Sequence, residues 1–206
     1  MRVLVVEGTP GAAAPATEAL RAAGHDTASC HDGPGTLCNG LVTIAGCPLD
    51  HTPVDAALLV RSEPNAHPTP TEGGARCALR RHVPLAVTGT VDSNPYEALA
   101  AVVSPDPSDP VGLVERAAHS PLSTHTTVAV EAFRRVLTAE GLDPSAASAT
   151  VTRDGNTLSV VLDPGIALTP MQVEVASVRT LGAVRAFDRE ATIIDVALAK
   201  GLPVLD

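Results

Sequence analysis

The sequence has no Trp, one Tyr (Tyr96) and two Phe (Phe133 and Phe187). A core must therefore be built from Ala, Val, Leu and Ile. That composition argues against binding of unpaired nucleic-acid strands, which relies on stacked aromatic faces. Lysine is nearly missing as well. Lys200 stands alone beside thirteen Arg, and the net charge is -9. Such a chain lacks the cationic footprint that phosphate backbones and anionic membrane surfaces require. No apolar run approaches the ~20 residues of a membrane-spanning helix. The opening run Met1-Arg2-Val3-Leu4-Val5-Val6 stops at Glu7, with no cleavage-site pattern behind it, and reads as a strand rather than a signal peptide. The expectation is a cytoplasmic protein with neither nucleic acid nor membrane among its partners.

Cysteine is absent before residue 30 and after residue 77. All four, Cys30, Cys38, Cys47 and Cys77, fall in one stretch with the spacing C-x7-C-x8-C-x29-C. In a reducing compartment, clustered cysteines serve as ligands or redox groups more often than as structural disulfides. Four thiolates can hold structural Zn²⁺ or an iron–sulfur cluster. The tight C-x2-C pairing of a zinc ribbon is missing. Pro48 follows Cys47, as a proline follows the last ligand of ferredoxin motifs. Glycines at 33, 35, 40 and 46 let backbone amides approach sulfur. The expected metal ligands are therefore Cys30, Cys38, Cys47 and Cys77. His31 or His51 is the substitute if Cys77, well inside its helix, stays out of reach. The other readings are small thiols packed in an Ala/Val core, or disulfides.

Around this stretch the rhythm is regular. Residues 2–6 form a continuous, β-branched run, as in a strand buried on both faces. An Ala-rich helix follows over 12–23, with Gly24 as its stop. Residues 25–29, 55–60, 84–88 and 100–103 are further strands. Thr69-Pro70-Thr71-Glu72 is a capping box opening a helix that runs to about His82. A short helix is expected near Tyr96, and another over 110–119. Strands alternating with helices imply a parallel, doubly wound five-stranded sheet over 1–120, with a Cys-rich insertion at 30–54.

After Ser120-Pro121-Leu122-Ser123-Thr124 the rhythm changes. A helix is expected over 127–140. A hairpin turns at Asp154-Gly155, a strong hairpin signal. A second capping box, Thr169-Pro170-Met171-Gln172, opens a helix with Met171, Val175, Val178, Leu181 and Val184 along one stripe. A last strand covers 191–198. Helix, strand, strand, helix, strand over 121–206 predicts a small α+β domain of ferredoxin-like type.

The element order of the first 119 residues, with Met1-Arg2-Val3-Leu4-Val5-Val6 as opening strand, resembles the receiver domain of response regulators, which is flavodoxin-like. That family holds Mg²⁺ with an acidic pair after the first strand; only Glu7 is present here. Arg61 stands where the family has its phosphoacceptor Asp, and Ser104 where it has a Lys. Thr88 matches the family's Ser or Thr. The resemblance implies a receiver-like scaffold put to another use, without aspartyl phosphorylation.

No P-loop, complete Gly-rich dinucleotide fingerprint, G-x-S-x-G elbow or H-E-x-x-H motif occurs. Arg76, Arg80 and Arg81 share one helix and form a solvated face or meet an acidic partner. The expected function is a non-enzymatic regulatory or sensory protein with a Cys-ligated metal or iron–sulfur site. Its C-terminal domain would serve self-association, a protein partner or ligand binding. The alternatives are an enzyme with its site at the carboxyl ends of the parallel strands, or a metal-free scaffold protein.

Overall fold

The computed structural model describes residues 1–33, 36, 38–43, 46–155, 157–189 and 191–199. Gly35, Asn156 and residues 200–206, which carried parts of the expectations above, lie outside them. The chain divides into two compact units, Met1–Ser120 and Pro121–Asp206.

The first unit is a five-stranded parallel sheet. Its strands are β1 (Arg2–Glu7), β2 (Asp26–Ser29), β3 (Ala56–Arg61), β4 (Leu85–Gly89) and β5 (Val102–Ser104), in spatial order β2-β1-β3-β4-β5. This is the flavodoxin-like order, which reverses direction between β1 and β3. The long helices are α1 (Ala14–Ala22), α4 (Gly73–Arg80) and α5 (Pro110–Ala118). Two single-turn helices, α2 (Asn39–Val42) and α3 (Pro48–His51), lie in the cysteine loop between β2 and β3.

The central strands are apolar because both of their faces are covered. Val3, Val5, Ala56, Leu58 and Val60 pack with Ala16 and Leu20 of α1 and Leu113, Val114 and Ala117 of α5. Leu4, Val6, Ala57, Leu59, Leu85 and Val87 pack on the opposite face with Ala75 and Ala78 of α4. Cys30 and Tyr96 belong to this second layer. Fully burying a Leu or Val side chain contributes about 1.5–3 kcal/mol, so these two layers carry the unit. Around Tyr96 the chain makes turns instead of the expected helix, and the ring is buried all the same. Pro95 removes one backbone donor there, and Ser93 has a left-handed φ of 60°, which interrupts a helix at its start.

The second unit contains α6 (Ser123–Ala139), β6 (Ser148–Asp154), β7 (Thr157–Asp163), α7 (Pro170–Phe187) and β8 (Ile193–Leu198). β6 and β7 are antiparallel, with Asp154 opposite Thr157. The turn between them uses Gly155 at φ 54°, a value that costs a residue without a side chain little. Burial alternates along both strands, so one sheet face is buried and one is wet. β8 pairs directly with β7, in parallel. The element order is as expected, but the sheet departs from a ferredoxin-like one. There the parallel strands joined by a crossover are split by another strand; here β7 and β8 are neighbours in the order β6-β7-β8.

Helix α7 also presents a different face from the one its stripe predicted. Ala176, Thr180 and Val184 are buried, while Met171, Val178 and Leu181 are exposed. The helix is apolar on more than one side, so periodicity does not choose which side meets the sheet. Among the described residues no helix is long and apolar enough to cross a membrane.

Candidate functional site: four converging thiols

Cys30 directly follows β2 and is 4% exposed, inside the layer that faces α4. The chain returns to it at once, because Asn39 N–H donates to the Cys30 carbonyl at 2.7 Å. That bond brings Cys38 back beside Cys30, and Cys38 packs against the same layer. Cys38 and Cys47 stand immediately before α2 and α3. Gly40 lies between them: a Cβ placed on it would come 3.2 Å from Cys47 Cβ and 3.7 Å from Cys38 Sγ.

Helix α4 supplies the fourth thiol. Its opening is prepared by Thr69, Pro70 and Glu72, and a 3-10 turn over Pro70–Glu72 leads into Gly73. The α-helix proper therefore starts nearer Cys77 than the cap does, which shortens the reach the loop must make. Gly74, Cys77 and Arg81 follow at steps of three and four and share one side. Gly74 abuts Cys30, whose Sγ would lie 3.0 Å from a Cβ added there. Arg81 pairs with Asp50 of α3, three residues after Cys47. One helix side thus carries Cys77 between a contact to Cys30 and an anchor for the segment that follows Cys47. Of the arginine group, Arg81 meets an acidic partner within the chain.

The electrostatics agree with this convergence. Burial pushes the Cys30 thiol up from its usual 9.0 to about 12, and the neighbouring Cys38, Cys47 and Cys77 add to the rise. All four cysteines are free thiols. Their approach is one of electrostatic range. Among the described residues no three His, Cys, Asp or Glu side chains stand close enough to hold a metal as they are. The donor set still suits a thiophilic centre: four thiols, with Gly74 where a side chain would crowd the Cys30 sulfur and Gly40 where one would crowd Cys47. His31 is engaged elsewhere, its Nδ1 at 2.7 Å from the Thr36 carbonyl. His51 ends α3.

A second constellation fills the crevice between β1 and β3, where flavodoxin-like sheets bind ligands. Arg61 ends β3, is 2% exposed, and donates from Nε to Glu72 Oε1 at 2.8 Å. Glu72, fully buried, also accepts the Thr69 N–H at 2.9 Å on Oε2. Thr69 and Thr71 both donate to the Gly8 carbonyl. Only about 30 Å³ remains among Gly8, Arg61 and Glu72, room for water-sized occupants only. Arg61 Nη1, buried and without a hydrogen-bond partner, borders it. Thr88 donates to the Asp106 carbonyl at 3.0 Å, and Glu7 accepts the Gly11 N–H at 2.8 Å.

The second unit holds a buried polar cluster that sequence reasoning missed. Asp188 takes His125 Nε2 at 3.0 Å and Arg153 Nη2 on one oxygen, and the Ala191 N–H at 3.1 Å on the other. His125 also meets the Phe187 ring edge-on at 5.0 Å. The available signal was periodicity: His125 falls in register with Ala129, Phe133 and Val136 on the buried side of α6.

Comparison with protein-family models and with curated proteins finds no match. The functional reading therefore rests on the geometry of these sites.

Proposed function

We propose that this chain is a non-enzymatic regulatory or sensory protein in which Cys30, Cys38, Cys47 and Cys77 hold one metal centre, an iron–sulfur cluster or Zn²⁺. What supports the reading is that four free thiols, drawn from three separate places in the chain, lie within electrostatic range of the buried Cys30, while as they stand no three donors among the described residues are close enough to hold a metal. Small packing cysteines have no reason to gather in this way. Ligation would order a loop whose few apolar contacts do not order it by burial, so metal or redox state becomes loop order. Iron or zinc centres of this kind need the four thiols deprotonated, which the centre's own charge supplies. The first unit is read as a receiver-like scaffold without the receiver's acceptor carboxylate. Arg61 and Glu72 fill the crevice, which favours a non-enzymatic role over a catalytic site between β1 and β3. Exposed Met171, Val178 and Leu181 on α7 favour self-association or a protein partner for the second unit. Free clustered thiols fit a reducing, cytoplasmic setting.

Anaerobic purification without chelator, followed by absorption spectroscopy and elemental analysis, tests the reading. Broad visible absorption with stoichiometric iron identifies a cluster. A colourless protein with one zinc identifies a structural site. Neither metal in stoichiometric amount overturns the proposal.

A further inference from the structure

A groove of about 580 Å³ runs between α1 and the carboxyl ends of β1 and β2. Its size is that of a small-molecule site. It lies at the end of the sheet where doubly wound folds bind ligands, one strand away from the crevice that Arg61 fills. Val5, Ala13 and Ala28 give it an apolar floor.

The polar groups around that floor are mostly acceptors. Glu7 uses Oε2 for the Gly11 N–H, and its second oxygen remains. Glu18 is exposed on α1. Asp32 accepts the Asn39 side-chain amide on Oδ1 only. The Thr36 carbonyl can only accept, so His31 Nδ1 carries the proton in their 2.7 Å contact. Arg21 is the single cation in the lining, and its Nε is already donated to Thr27. Three carboxylates against one guanidinium leave the groove negative.

We propose that this groove binds a small organic cation, an amine or guanidine on a short aliphatic chain. The chain lies on Val5, Ala13 and Ala28, and the cationic head donates to Glu7, Glu18 and Asp32. An anionic ligand would meet three carboxylates there against one guanidinium. Ser29, His31 and Asp32 flank Cys30, so an occupant touches the start of the cysteine loop. The proposal does not depend on metal binding by the thiols.

Calorimetry on the full chain with 1,4-diaminobutane and with agmatine, against butane-1,4-diol and succinate as controls, tests it. Both cations are expected to bind one per chain, with Kd at or below about 1 mM, in metal-loaded and in chelator-treated protein. E18Q and D32N are each expected to weaken binding about threefold and together about tenfold, roughly 1.4 kcal/mol. E174Q, on the other unit, should leave binding unchanged. No saturable heat with either cation up to about 10 mM overturns the proposal. So does equal binding of the diol, or wild-type affinity in the E18Q/D32N variant.

Discussion

Each unit gathers reactive side chains in its interior, and the two gatherings differ in kind. In the second unit Asp188 is saturated: a histidine and an arginine on one oxygen, a backbone amide on the other. Every charge there has an opposite partner, as burial demands. In the first unit the four thiols have mainly one another. Cys30 is raised by its burial and by the other three cysteines, and no cation appears among the causes. A buried cluster whose charges are paired is a clamp, even with Arg153 Nε left without a hydrogen-bond partner. A cluster of like groups would repel once ionised, and the proposed metal centre is what would offset that. The Arg61–Glu72 pair shows that the first unit can also build a clamp.

The largest effect that could break this contrast is at the cysteines. Under the proposed metal binding, replacing any one of Cys30, Cys38, Cys47 or Cys77 by Ser is expected to abolish it, because structural zinc sites supply an apparent stabilisation of about 10–16 kcal/mol. Residues 30–54 should then become protease-sensitive while amide exchange in β1, β3 and β4 stays slow. Unchanged metal content in all four variants would reduce the cluster to packing.

Next in size is the clamp. Asp188→Ala leaves Arg153 buried without its counter-ion and should cost about 3–5 kcal/mol. Urea unfolding followed by residue-resolved amide exchange should show the loss in the second unit alone. A loss below about 1 kcal/mol would mean that the cluster is solvated and not a clamp.

Tyr96 offers a smaller and spectroscopically clean test, since the chain has no other Tyr and no Trp. Burial, and then the Glu72 carboxylate, push its hydroxyl up from 10.0 to about 12, against the opposing pull of Arg76 and Arg61. The unfolded chain therefore ionises first as pH rises. Stability from this group is full below pH 10 and is lost between pH 10 and 12. Phenolate absorbance should show the late titration, and Glu72→Gln should shift it to lower pH by removing the second cause. A midpoint near the ordinary tyrosine value in the wild type would contradict the buried Glu72 network.

The smallest effect concerns a helix cap. Thr169 Oγ1 accepts the Gln172 N–H, and Gln172 Oε1 accepts the Thr169 N–H. Thr169→Ala should cost about 1 kcal/mol, seen as a lower urea midpoint for the second unit and no change in the first.

What the sequence by itself determined is local. Runs such as Val3-Leu4-Val5-Val6 and Ala57-Leu58-Leu59-Val60 read as doubly covered strands because a parallel strand buries both faces, which leaves no alternation to misread. Thr69 and Thr169 opened their helices because a capping box is a contact between residues three apart. Asp154-Gly155 marked its hairpin for the same reason. Tertiary structure decided which side of α7 faces the sheet, since its apolar residues occupy more than one side. It also decided that β8 lies beside β7, that Arg61 closes the crevice, and that His125, Arg153 and Asp188 meet. Gly74 of α4 comes against Cys30 in the same way. Those pairings join residues tens of positions apart, and only the packing of whole layers fixes the distance between such residues.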